Sequence, residues 1–226
     1  MSPAPRASAV TAADVEAWLV ELGLEPLERA DREGVASWDL ILDGTRRAAL
    51  RITLILDPTL ALICWAHYAP PINDSFRKSF RKLLRWNDEL PFVKFSVGED
   101  ERPLLVAELP IETLDVGALG LALARHLAVA DRYHAETVDW LKGGGWRVTA
   151  PSTEEATGPG GRLLTRYADR LAELLDEAPA TDAAEDATDE DTTDDEPRDE
   201  SRDEPWDESH DDAAGDPATR STAVLA

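Results

Sequence analysis

Apolar residues near the start of the chain recur at helical spacing: Val15, Trp18, Leu19 and Leu22 share one face until Gly23. Thr11 with Asp14 three positions on supplies a capping pair, so a first helix is predicted there. From Ser37 to Asp43 the period changes to two, with Trp38, Leu40 and Leu42 on one side and Ser37, Asp39 and Asp43 on the other. Leu50, Ile52, Leu54 and Leu56 repeat this alternation after Asp43-Gly44, a dipeptide that favours a tight hairpin. Asp57-Pro58-Thr59 turns the chain again. The run from Leu60 to Tyr68 is apolar on both faces, which predicts a central or doubly covered strand. Three strands in a meander follow.

Pro70-Pro71 closes the meander. The next helix, over about residues 72–87, places Phe76, Phe80, Leu83 and Leu84 on one side. Val93, Phe95 and Val97 then face inward from a fourth strand, and Leu105, Ala107 and Leu109 from a fifth, with the turn between Gly98 and Pro103. A long helix over 114–141 buries Leu119, Leu123, Leu127, Ala130, Val138 and Leu141, and ends at Gly143-Gly144-Gly145. The predicted order is α-β-β-β-α-β-β-α, an α+β domain with an antiparallel sheet packed against helices. Beyond it, residues 146–161 read as a loop. Leu163, Leu164, Tyr167, Leu171, Leu174 and Leu175 then stripe an extra helix, which is too short to stand alone in water and needs a surface to dock on.

This organisation divides the chain into a flexible N-terminus (1–10), the α+β domain (11–142), a glycine-containing linker (143–161), an amphipathic helix (162–177) and an acidic tail (178–226). Charge sharpens the last boundary: of a net charge of −23 over 226 residues, about −17 falls from Asp176 onward. The tail holds too little apolar side chain to offset the entropy of ordering it, so disorder is expected. A single cysteine, Cys64, excludes an internal disulfide framework. The opening residues do not read as a secretory signal, and the most apolar helix is interrupted by Arg125 and His126, so a soluble cytoplasmic protein without a membrane span is expected.

The stretches RWNDELPFVKFSV, LLVAELPIETLD and ALARHLAVADRY, in this element order, resemble the YbjN-like family of bacterial sensory transduction regulators, which is in turn similar to the type III secretion chaperones. The resemblance covers about Thr11 to Trp140. It implies a type III secretion chaperone-like fold and a non-enzymatic, peptide- or protein-binding domain, commonly a homodimer. It carries over no catalytic residue. The extra helix and the acidic tail are additions to that pattern.

Two groups of residues are candidates for holding a partner. Arg77, Arg81 and Arg85 lie at i, i+4 and i+8 with Lys78 and Lys82 beside them, a stripe able to meet carboxylates. The ordinary alternative is a solvated helix face. So negative a chain disfavours nucleic acid as a partner. Trp65, on the opposite strand face from Cys64 and beside His67, suits peptide capture on a sheet face, with backbone pairing at a sheet edge as the other mode. In the tail, Trp206 within DEPWDES is a candidate docking anchor, either as part of a self-occluding electrostatic switch or within a merely solubilising segment. Trp38, Trp86 and Trp140 read as core.

No enzyme signature emerges from the motifs. His126 and His134, flanking the buried stripe, lack zinc-ligand spacing, and Gly158 to Gly161 lack the lysine and hydroxyl of a phosphate loop. Cys64 in an apolar strand is poorly suited to thiolate chemistry. The expectation is a domain with no cofactor, no metal and no small-molecule substrate. A defined protein partner, with the domain acting as a regulatory adaptor, is the competing reading.

Overall fold

The computed structural model describes residues 10–71, 77–143 and 149–176, less the side chains of 77–78, 140–141, 143 and 173–176. The chain divides after residue 181, and every described element lies before that division. Helix α1 (Ala12–Glu21) opens on the expected reciprocal cap: Thr11 Oγ1 accepts from the Asp14 N–H, and the Asp14 carboxylate accepts from the Thr11 N–H. Strands β1 (Glu28–Arg32), β2 (Val35–Leu42), β3 (Leu50–Asp57) and β4 (Ala61–His67) follow. Then come α2 (Arg77–Glu89), β5 (Lys94–Val97) and β6 (Pro103–Pro110). A 3-10 turn (Ile111–Thr113) leads into α3 (Val116–Arg132), α4 (His134–Gly143), α5 (Thr153–Ala156), α6 (Pro159–Arg166) and α7 (Ala168–Asp176). The strands form one antiparallel sheet in the order β1-β2-β3-β4-β6-β5, so the architecture is α+β.

Five strands were expected and six are present. The missed strand, β1, reads Glu-Arg-Ala-Asp-Arg and buries none of its residues, so it carries no hydrophobic alternation to detect. Its tight turn into β2 uses Glu33 (φ 55°) and Gly34 (φ 84°), the two left-handed positions that match sheet twist. Asp43-Gly44 is not the tip of a tight hairpin. β2 and β3 are instead joined by residues 43–49, folded around a side chain of α3. Asp131 accepts hydrogen bonds from the Thr45 N–H (2.6 Å), the Thr45 hydroxyl (2.8 Å), the Arg46 N–H (2.8 Å) and the Arg47 N–H (2.7 Å). Gly44 is needed for that approach, since a Cβ there would lie 2.4 Å from Asp131 Oδ1.

One sheet face is the core. Trp38, Leu40, Leu50, Ile52, Leu54, Leu62, Cys64 and Leu105 point into it and meet α1 and α3. α3 is buried almost all round, which marks it as an interior helix rather than a surface one. α6 and α7 pack on its other side and add Leu163 and Leu171 to the same core. The predicted single helix over 162–177 is thus two, broken at Tyr167 and starting earlier, within the stretch read as loop, where α5 also lies. Glycines make this docking possible: a Cβ on Gly120 would lie 2.3 Å from the Tyr167 hydroxyl, and one on Gly160 would lie 2.1 Å from the Asp43 carbonyl oxygen.

The predicted helix over 114–141 breaks at Tyr133, separating α3 from α4. Tyr133 is drawn into an aromatic cluster, stacked on Trp86 at 4.1 Å between centroids, with Phe95 and Tyr68 beyond it. Thr137 holds the start of α4 by donating to the Tyr133 carbonyl, and its hydroxyl also meets that of Tyr68 at 2.9 Å. His126 lies inside the core rather than flanking it, with Nδ1 donating to the Ala122 carbonyl at 2.8 Å.

Candidate protein-binding surface

Strand periodicity decides what the second sheet face presents. With every apolar side chain of one parity committed to the core, the other parity points away from α1 and α3. Register aligns Asp39, Thr53, Trp65, Val106 and Lys94 in one row across five strands. Ile41, Arg51, His67, Leu104 and Ser96 form a second row, and Ser37, Ile55, Ile63 and Glu108 a third. Among the described residues no helix covers this face. Trp65 is 36% exposed at its centre, with half-buried Ile55, Ile63 and Val106 around it.

A polar margin flanks this apolar centre. Asp39 accepts from Thr53 Oγ1 at 2.6 Å and pairs with Arg51. Burial pushes its carboxyl up, but the hydrogen bonds from Thr53 and Arg51 and the charge of Arg51 outweigh it and hold Asp39 below the usual range. His67, next to Trp65 on β4, is held below its ordinary value by burial and by the Arg51 and Arg102 charges, against the opposing pull of Asp39 and Asp100. At neutral pH it presents an uncharged ring.

The basic stripe lies on the other side of the sheet. Ser79, Leu83 and Trp86 form the buried seam of α2, and Trp86 rests on Phe95, which belongs to the core-facing row. This seam is rotated from the expected one: Leu84 is 66% exposed, and Phe76 lies outside the described residues. Arg81 and Arg85 are exposed. Lys82 is engaged, with its ammonium 2.5 Å from Glu136 and 5.2 Å from the Trp86 ring centre. Arg77 and Lys78 lie in the first turn of α2, and their side chains are outside the described residues, as is Trp206. The two candidate groups therefore form no common site: Trp65 and His67 share the open face, and α2 stands behind it.

Neither sheet edge offers a plain template for strand addition. On β5 the Asn87 side chain bonds both backbone groups of Phe95, accepting from its N–H at 2.6 Å and donating to its carbonyl at 3.0 Å. Lys94 reaches back to the Asn87 and Leu90 carbonyls and caps the end of α2. The other edge, β1, is short and charged, which discourages pairing. This double use of Asn87 and Lys94 gives the RWNDELPFVKFSV stretch its structural role.

Cys64 and His126 sit in the interior. Burial pushes the Cys64 thiol up to about 12, so it stays protonated. His126 is held below its usual value by burial, against the backbone carbonyls that favour its charged form. Among the described residues no three His, Cys, Asp or Glu side chains are grouped to hold a metal ion, and no helix is long and apolar enough to cross a membrane.

Residues 11–137 match the sequence profile of YbjN, described as "Putative bacterial sensory transduction regulator". The chain belongs to the YbjN family. The matched span runs from the cap of α1 into α4 and so contains the whole sheet, both edges and the open face. No curated protein matches the chain.

Sequence reasoning placed Trp65 and His67 side by side from period two, and the register agrees. It did not find Ile55, Ile63 and Val106 as neighbours of Trp65, because cross-strand proximity depends on register rather than on local pattern. Nor did it single out Phe92, which is largely exposed.

Proposed function

We propose that this protein is a non-enzymatic regulatory domain that holds a segment of a protein partner across its open sheet face and works as a cytoplasmic homodimer. The observation that carries the reading is Trp65, a large aromatic kept partly in water at the centre of a sheet face that no helix covers among the described residues. Tryptophan buries much apolar area for few rotamers, which makes it a frequent anchor in interfaces. The occupied β5 edge favours side-chain capture on the face over strand addition. Family membership supports a regulator, and the interior placement of Cys64 and His126 supports binding over catalysis. A chaperone-like module binds many extended peptides, whereas an adaptor for one defined partner selects one.

The test uses a displayed library of extended fifteen-residue peptides, read against the wild type and Trp65→Asp. Selected peptides should bind the wild type and lose at least tenfold affinity for the variant, with unfolding unchanged. Equal binding to both proteins would remove the sheet face from the reading. Sedimentation at micromolar concentration should give a dimer, and a monomer throughout would remove that part.

A further inference from the structure

Pro91, Phe92 and Val93 form a turn of an unusual kind. The Val93 N–H donates to the Pro91 carbonyl at 2.8 Å, closing a ring over one residue, and Phe92 between them has φ 66°. A γ-turn with a left-handed centre is rare and strained, and a bulky residue there is worse placed than glycine or asparagine. The strain is not repaid by packing, for Phe92 is 69% exposed. Strained, exposed aromatic positions point toward a ligand.

The Arg125 guanidinium carbon, reaching from α3, lies 4.0 Å from the centre of the Phe92 ring. Among the described residues Arg125 Nε is buried and has no acceptor, and the charge of Arg170 on α7 acts on Arg125. Arg29, Arg102 and Arg132, by contrast, each meet a carboxylate, those of Glu16, Asp100 and Glu89. In a chain with 46 acidic residues against 23 basic ones, an Arg125 that meets no carboxylate among the described residues and feels the like charge of Arg170 is suited to an acidic ligand.

We infer that Phe92, Arg125 and Arg170 receive an acidic, aromatic-bearing segment of a protein partner. The free face of Phe92 stacks an apolar side chain, and the guanidinium edges take carboxylates in paired hydrogen bonds. The patch lies with α3 and α7, away from Trp65, and does not depend on the sheet-face reading. A net charge of −23 favours a peptide over a polyphosphate backbone, because long-range repulsion grows with the ligand's charge.

The probe is a fluorescein-labelled Glu-Glu-Trp-Glu-Glu peptide, followed by anisotropy with the full-length protein. Binding should weaken with salt and fall at least tenfold in Phe92→Gly and in Arg125→Gln, and should persist in Trp65→Asp. Phe92→Gly should keep or raise the thermal midpoint, since glycine accepts the left-handed angle. That pairing of intact fold and lost binding is what a purely structural phenylalanine would not give. The inference is overturned if the wild type does not bind, if both variants bind like the wild type, or if Phe92→Gly lowers the midpoint while binding is kept. Equal binding of a Lys-Lys-Trp-Lys-Lys peptide, or tighter binding of a single-stranded oligonucleotide lost in the same variants, would overturn it too. Loss in Trp65→Asp alone would move the peptide to the sheet face.

Discussion

Replacing Asp131 tests how the end of α3 is fastened to the β2–β3 loop. Its carboxylate accepts four hydrogen bonds, two on each oxygen. Thr45 and Arg46 are exposed, so water can serve their N–H groups once the carboxylate is gone. Arg47 is 1% exposed, and its N–H would be left orphaned, at about 1–3 kcal/mol. Its buried guanidinium, already disfavoured by burial and supported by the Tyr68 and Asp131 groups, would also lose a favourable charge. Together these give about 3–5 kcal/mol for Asp131→Ala, a large part of the roughly 5–15 kcal/mol that holds a domain folded. Asp131→Asn keeps the shape but turns one oxygen into a donor facing donors, so about 2–4 kcal/mol is expected. Urea unfolding followed by tryptophan fluorescence measures both. A loss under about 1 kcal/mol for Asp131→Asn would refute the account, being no more than an ordinary surface change. Gly44→Ala supplies a cross-check: its added carbon clashes with Asp131 Oδ1 and should cost about 1–3 kcal/mol alone, but much less beside Asp131→Ala.

Acid should destabilise the fold. The folded-state value of His126 is lowered, so its contribution is complete above the unfolded value of about 6.5 and declines as pH falls below it, with His67 acting in the same direction. The urea midpoint should drop between pH 7 and pH 5 less steeply in His126→Leu than in the wild type; parallel slopes would exclude His126 as a source. Gly120→Ala should push Tyr167 off α3, costing about 1–3 kcal/mol and speeding proteolysis between α4 and α6, and an unchanged cleavage rate would count against the contact. Asn87→Ala should free the Phe95 backbone, costing about 1–2 kcal/mol and promoting self-association seen by light scattering; a soluble, equally stable variant would mean the edge is protected by something else.

Elements with strong periodicity were legible in the chain. β2, β3 and α1 declare themselves because each presents one apolar face to a single core, and Thr11 and Asp14 cap α1 as their spacing suggests. β1 was hidden because an edge strand of charged residues is stabilised by backbone pairing alone. The long helix was read through Tyr133 because the break comes from a distant stack on Trp86, and the Asp43-Gly44 signal was overridden by a carboxylate 86 residues away from Thr45. Of the candidate surface, Trp65 and His67 were visible from alternation. The separation of the basic stripe from them was not, since it follows from which side of the sheet α2 occupies.

The packing of α6 and α7 on α3 reaches past the span that defines the family. Leu163 and Leu171 lie in the same interior as Trp38, yet the matched region stops at residue 137. Cutting the gene at that border would strip α3 of its outer coat and leave a sticky, half-clad helix in water. Anyone expressing this domain by itself is better served by a stop codon beyond residue 176.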